Sequence, residues 1–123
     1  MLILDTSAVI EVLKGTSKGE EIEKYIENKG ASITAFTIHE LFVGIKENEI
    51  FKIQEFLASI RIFNFDSVAA AESSGIEKYL ISKGKRVEES DVFIAGICLA
   101  NNSKLITLDK GFLEIKGLDV KVF

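Results

Sequence analysis

Asp5 comes directly after the apolar run Leu2, Ile3, Leu4, and Asp109 comes in the same way after the run 105–108. Two further acids lie among apolar neighbours at helical spacing. Asp91 opens the stretch DVFIAGICLANN, with Ile94, Ala95 and Cys98 on its own helical face. Glu40 sits inside TIHELFVGI, with Thr37 and Gly44 on its face. Carboxylates crowded together repel one another and raise each other's pKa, and a divalent cation removes that repulsion. Hard oxygen ligands suit magnesium or manganese, and magnesium takes one or two protein carboxylates together with waters and phosphate oxygens. Such a site can activate water and clamp a phosphodiester during in-line cleavage. Thr6, Ser7 and Thr107 could orient the carboxylates or bound waters, or could equally be cap and strand residues.

Each acid taken alone also has a structural explanation. Asp5 could cap a following helix. Asp91 would favour the dipole of a helix that it opens. Asp109 could begin a turn before Gly111, and Glu40 could be a solvated helical glutamate. The metal reading rests on the four occurring together.

The elements that must position these acids follow from the apolar pattern. Residues 2–4 read as a buried strand, followed by a helix over 7–14 that Gly15 stops. Helical spacing at Ile22, Tyr25 and Ile26 predicts a helix over 18–29, with Gly30 beyond it. A strand over 32–34 is followed by a helix over 37–46, with Ile38, Leu41, Phe42 and Ile45 on one stripe. A helix over 50–60, an alternating strand over 61–65 and a long helix over 67–83 come next. An almost wholly apolar helix over 90–101, a strand over 104–108 and a short strand over 120–123 complete the chain. Strands separated by helices predict an α/β fold with a mainly parallel sheet, and short all-apolar strands predict helices on both its faces. Ligands of such sheets bind beyond the carboxyl ends of the strands, where Asp5 and Asp109 would then stand.

The chain of 123 residues is expected to form one domain, 1–123. A hydrophobic fraction of 47% and a charged fraction of 28% suit a packed, water-facing globule. No apolar run is long enough to span a membrane. No signal peptide is visible, and the lone Cys98 cannot form an internal disulfide, so a cytoplasmic protein is expected. A net charge of -4 argues against an obvious nucleic-acid binder. Setting the four site acids aside changes that balance, because the rest of the 19 acids then equal the 15 lysines and arginines. Lys83, Lys85 and Arg86 could touch phosphates but are expected to be a solvated loop. His39 cannot share a face with the adjacent Glu40 and is read as structural or exposed.

The stretches MLILDTSAVI, TIHELFVG and SDVFIAGICLANNSKLITLDKGF together resemble a PIN-domain ribonuclease, most of all the VapC-type toxins of toxin–antitoxin modules. The resemblance covers essentially the full chain and keeps the order Asp5, Glu40, Asp91, Asp109. It implies a three-layer α/β/α fold with a central, mainly parallel five-stranded sheet. It also implies a magnesium- or manganese-dependent endoribonuclease. On this resemblance Asp5 and Asp91 hold the metal, while Glu40 and Asp109 complete the catalytic pocket and are open as further ligands. It further implies an RNA substrate, a homodimer and a cognate antitoxin. The antitoxin is expected to lie across apolar residues of the early helices, including Ile22 and Ile26. Gly96 departs from the family pattern, in which alanine is common at that place. The alternative is a catalytically silent PIN-like module that binds RNA or a protein partner. A phosphoacceptor domain fits less well, because a single aspartate follows the first strand, and a DxD phosphatase would need an acid where Ser7 stands.

Overall fold

Leu2–Leu4 forms strand β1 with all three side chains buried, and its alternation sends Leu2 and Leu4 to one face of a sheet and Ile3 to the other. A computed structural model describes residues 1–123. Helices α1 (Thr6–Lys14) and α2 (Ser17–Ile26) lead to β2 (Ala31–Thr34). Helices α3 (Ala35–Gly44) and α4 (Ile50–Ser59) then lead to β3 (Arg61–Phe63), with a single 3₁₀ turn over Glu47–Glu49 between them. Helices α5 (Ser67–Ser82) and α6 (Glu89–Ala100) precede β4 (Lys104–Thr107), and a 3₁₀ segment over Lys110–Glu114 leads to β5 (Val120–Val122).

The five strands form one sheet in the order β3-β2-β1-β4-β5, with every pairing parallel. The chain builds outward from β1 in one direction, then returns to its other side at β4. The order therefore reverses between β1 and β4, and a crevice opens outside their carboxyl ends at that point. The register pairs Leu4 with Ile106, which brings Asp5 and Thr107 to the same edge.

Two apolar clusters cover the two faces. Ile3 and Leu105 pack with Ile76 and Leu80 of α5 and with Ile94, Ile97 and Cys98 of α6. Leu2, Leu4, Ile33 and Ile106 pack with Val9 of α1, Ile22 of α2, Leu41 of α3 and Ile53 of α4. This is the three-layer arrangement that the sequence implies, and no helix is long and apolar enough to cross a membrane.

The element boundaries differ from the sequence pattern where capping decides them. Helix α3 starts at Ala35, not 37, because Thr34 ends β2 and also accepts a hydrogen bond from the Thr37 amide at 3.4 Å. Helix α2 stops at Ile26, short of 29, because Asn28 and Gly30 both adopt positive φ and turn the chain into β2. Strand β3 stops at Phe63, and Asp66 caps α5 by accepting from the Ala69 amide at 2.9 Å. The apolar residues of the early helices also divide differently. Ile22 is 0% exposed and belongs to the core, so the expectation that it lies on an external docking surface is corrected. Phe51 is 77% exposed and stands apart from that core.

Gly96 has a steric explanation. A Cβ there would fall 2.7 Å from the Ala69 carbonyl oxygen and 2.8 Å from the Ser73 Cβ, both on α5. Helices α5 and α6 approach closely enough at this level to exclude an alanine without a backbone shift. Gly96→Ala is expected to lower stability by about 1–3 kcal/mol, the usual cost of overpacking. A urea titration followed by circular dichroism checks this.

Candidate active site

Asp5 is only 5% exposed, yet both oxygens of its carboxylate accept hydrogen bonds. Oδ1 accepts from the Ser7 hydroxyl at 2.7 Å and from the Ala8 amide at 3.0 Å. Oδ2 accepts from the Thr107 hydroxyl. Those hydroxyls are themselves oriented by backbone donors. The Leu108 amide donates to Ser7 Oγ at 3.1 Å, and the Asp109 amide donates to Thr107 Oγ1 at 3.0 Å. Each relay polarises its hydroxyl toward Asp5. Asp5 thus caps α1, as the structural explanation had it, and also stands at the crevice between β1 and β4.

Four more acids face the same crevice. Asp5, Glu40, Glu88, Asp91 and Asp109 line one pocket of about 310 Å³, with Thr6, Ser7 and Ile94 completing its wall. Glu40 reaches it from α3 and accepts from the Thr6 hydroxyl at 2.7 Å, which ties α3 to the first residue of α1. The same hydroxyl lies 3.2 Å from Thr37 Oγ1. Asp91 is half-buried in the first turn of α6. Asp109 accepts from the Gly111 amide at 2.8 Å, so it opens the turn after β4 while standing at the pocket. All four acids singled out in the sequence are therefore brought together, although they come from two helices and two strand ends.

No lysine or arginine lines this pocket. Burial pushes the Asp91 carboxyl from its ordinary 3.8 up to about 6, and the charges of Asp109, Asp5, Glu88 and Glu40 push in the same direction. The Asp5 carboxyl is also raised, chiefly by burial, against the pull of its hydrogen bonds to Thr107, Ser7 and the Ala8 amide. Protein groups alone thus leave the negative charge uncompensated.

A divalent cation fits this donor set in one specific way. No three of the acids converge as a ready ligand cluster. An all-protein cage of the calcium type is therefore not what the pocket offers. Anchoring by one or two carboxylates, with the remaining positions open to water and phosphate oxygens, is the magnesium pattern. Five carboxylates in one pocket with no basic side chain are the observation that fits a cation.

Glu88 was not singled out from the sequence. It precedes Glu89 and Ser90 in a run of polar residues, and only the entry of α6 turns it toward the pocket. His39 is exposed and does not line the acidic pocket. The basic cluster also stays outside it, and Lys85 instead pairs with Glu114.

A parallel five-stranded sheet between helical layers, with an acidic crevice at its switch point, defines the class of α/β protein. The sequence matches the PIN domain family over residues 2–118. The chain belongs to that family. Ribonuclease VapC2 of Haemophilus influenzae is 29% identical over 113 residues, covering 82% of this chain and 85% of that protein. Ribonuclease VapC5 of Mycobacterium tuberculosis is 25% identical over 122 residues, covering 94% and 87%. Among solved structures, VapBC2 of Rickettsia felis bound to a promoter DNA fragment superposes with a TM-score of 0.88 at 22% identity, covering 99% of this chain and 98% of that one.

The raised Asp91 pKa gives a testable sign. Its folded value lies above its unfolded one, so its contribution to stability is complete below about pH 4 and is lost as pH rises through about 6. Metal-free protein is therefore expected to lose stability over that interval. Asp91→Asn should flatten the loss and leave the metal-free variant more stable at pH 7, by about 1 kcal/mol after allowance for partial exposure. Thermal melts of both proteins in EDTA across pH 4–8 check this, and an equal slope in the two would contradict the assignment.

Proposed function

We propose that this chain is a magnesium- or manganese-dependent endoribonuclease, acting as the toxin of a toxin–antitoxin pair. The observation that carries the reading is the pocket of five carboxylates, free of basic side chains, at the switch point of a PIN-family sheet. The names of the curated relatives support ribonuclease activity, and the VapBC complexes among the solved structures support an antitoxin partner.

Asp5 and Asp91 would hold the cation, with Glu40 and Asp109 completing the pocket. Once bound, a divalent cation lowers the pKa of water and offsets the charge of a phosphodiester. The chain's own contributions can be argued from its hydrogen bonds. Ser7 and Thr107 fix both oxygens of Asp5 and favour its ionised form. Thr6 holds Glu40 toward the pocket and restrains its rotamer. Asp91 and Glu88 bring negative charge that repels an RNA backbone until it is offset, so substrate binding should follow cation binding. Low overall basicity makes the RNA affinity weak and sensitive to salt. RNA with single-stranded character is the proposed substrate, the protein is proposed to act in the cytoplasm, and a homodimer is its proposed form.

The antitoxin reading has its own structural support. A second groove runs between α1, α3 and α4, lined by Ile10, Leu13, Leu41, Ile45 and Ile53. Glu40 borders both this groove and the acidic pocket. A segment lying in the groove with its apolar face inward could therefore extend a basic side chain to the site carboxylates.

Three experiments test these readings. Purified protein should cleave RNA only with magnesium or manganese, and Asp5→Asn or Asp91→Asn should reduce the rate by about 10²-fold or more. Calorimetric titration with manganese should show weakened binding in both variants. Cleavage that persists in EDTA contradicts the metal reading, whereas metal binding without any cleavage supports the silent module. For the partner, any small open reading frame found next to this gene is co-expressed with it. Leu13→Glu with Ile45→Glu should weaken the complex at least about tenfold, and unchanged affinity in a folded double variant places the antitoxin elsewhere.

A further inference from the structure

Beside the acidic pocket lies a second cleft, and its chemistry is different. Three phenylalanines from three separate segments meet there: Phe36 of α3, Phe65 between β3 and α5, and Phe93 of α6. Phe36 stacks on Phe93 with ring centroids 5.4 Å apart at 28°. Phe65 meets Phe93 at 4.8 Å and 54°, and Phe36 at 5.7 Å and 78°. The cluster is not sealed. Phe65 is 36% exposed, and the rings line an open cleft of about 540 Å³ with His39, Glu89 and Ser90 at its edge.

The position of this cleft is set by the same two helices that build the pocket. In the entry to α6, Glu88 and Asp91 line the acidic pocket, whereas Glu89, Ser90 and Phe93 line the aromatic cleft. On α3, Glu40 lines the pocket and the adjacent His39 lines the cleft. The two sites are therefore neighbours on different faces of the same turn of each helix. The cleft has no lysine or arginine, so it is unsuited to a phosphate. It offers aromatic faces, which stack on bases regardless of sequence. His39, Ser90 and the Glu89 carboxylate supply hydrogen-bonding groups at the edge, the pattern of an apolar site with a few polar groups that fix orientation.

We propose that this aromatic cleft is a base-binding subsite, which holds an unpaired nucleobase next to the phosphodiester presented to the acidic pocket. The assignment rests on the ribonuclease reading above and extends it. It gives that reading a physical reason for preferring single strands, because a paired base has no free face to stack. It also supplies affinity that a protein with a net charge of -4 cannot draw from phosphate contacts.

The test uses the full chain and a single-stranded RNA that carries 2-aminopurine at successive positions, with phosphorothioate linkages to slow hydrolysis. Wild-type protein should quench 2-aminopurine at one position beside the cleaved bond. Phe65→Leu keeps an apolar side chain at a partly exposed place but removes the aromatic face. It should lose that quenching and bind about tenfold more weakly, while Phe65→Tyr restores both. Sedimentation and thermal melts accompany each variant. Equal quenching and affinity in wild type and Phe65→Leu overturn the subsite. So does a change in sedimenting mass on substitution, since the cleft would then be a contact between copies of the chain. Wild-type protein that binds and quenches without cleaving any RNA refutes the nuclease reading and leaves the subsite standing. Wild-type protein that cleaves while Phe65→Leu binds equally well does the reverse.

Discussion

The structure depends on keeping an ionisable carboxylate, that of Asp5, at the buried end of a central strand. An unpaired charge in such a place would be too costly to maintain. Its donors come from two directions, Ser7 and the Ala8 amide from α1 and Thr107 from β4. Strand β1 must therefore lie beside β4 in one register. A slip of one residue would send the Thr107 side chain to the opposite face and leave Asp5 Oδ2 without its partner. The pairing of Leu4 with Ile106 and the placement of Asp5 are thus two aspects of one requirement.

Topology then places this aspartate where it can act. With β1 at the centre and β4 entering on its other side, the crevice opens beside Asp5. The loop after β4 adds Asp109, and α3 and α6 add Glu40, Glu88 and Asp91. Burying and crowding these acids works against folding in the absence of a cation, and both raise the pKa of Asp91. The two apolar clusters on either side of the sheet are what hold the acids together.

Precision at Asp91 comes from packing some way along the same helix. Gly96 allows α6 to settle against Ala69 and Ser73 of α5 with backbone in close approach. Helix α6 lacks a side-chain N-cap, so its first turn, which carries Asp91, is held by the packing of its buried residues. The same turn divides the acidic pocket from the aromatic cleft. A glycine five residues along the helix from Asp91 therefore helps fix both.

The sequence by itself determined the class of fold and the four acids. Short all-apolar strands alternating with amphipathic helices specify a covered parallel sheet, and an aspartate directly after such a strand can be placed at its carboxyl edge by counting. Asp5, Glu40, Asp91 and Asp109 stood out because each acid adjoined apolar positions at strand or helix spacing. Helix ends were less legible, because Thr34 acts at once as strand end and helix cap and leaves no loop between the two. The tertiary structure decided which side chains share a space. Glu88 belongs to a polar run that looks solvated until α6 directs it into the pocket. Phe36, Phe65 and Phe93 lie far apart in the chain and meet only in the fold, and Ile22 resembled a docking residue but is wholly enclosed. Periodicity reports which face of an element a residue occupies. It carries no information on what that face meets, because that is set by the order in which the strands are laid beside one another.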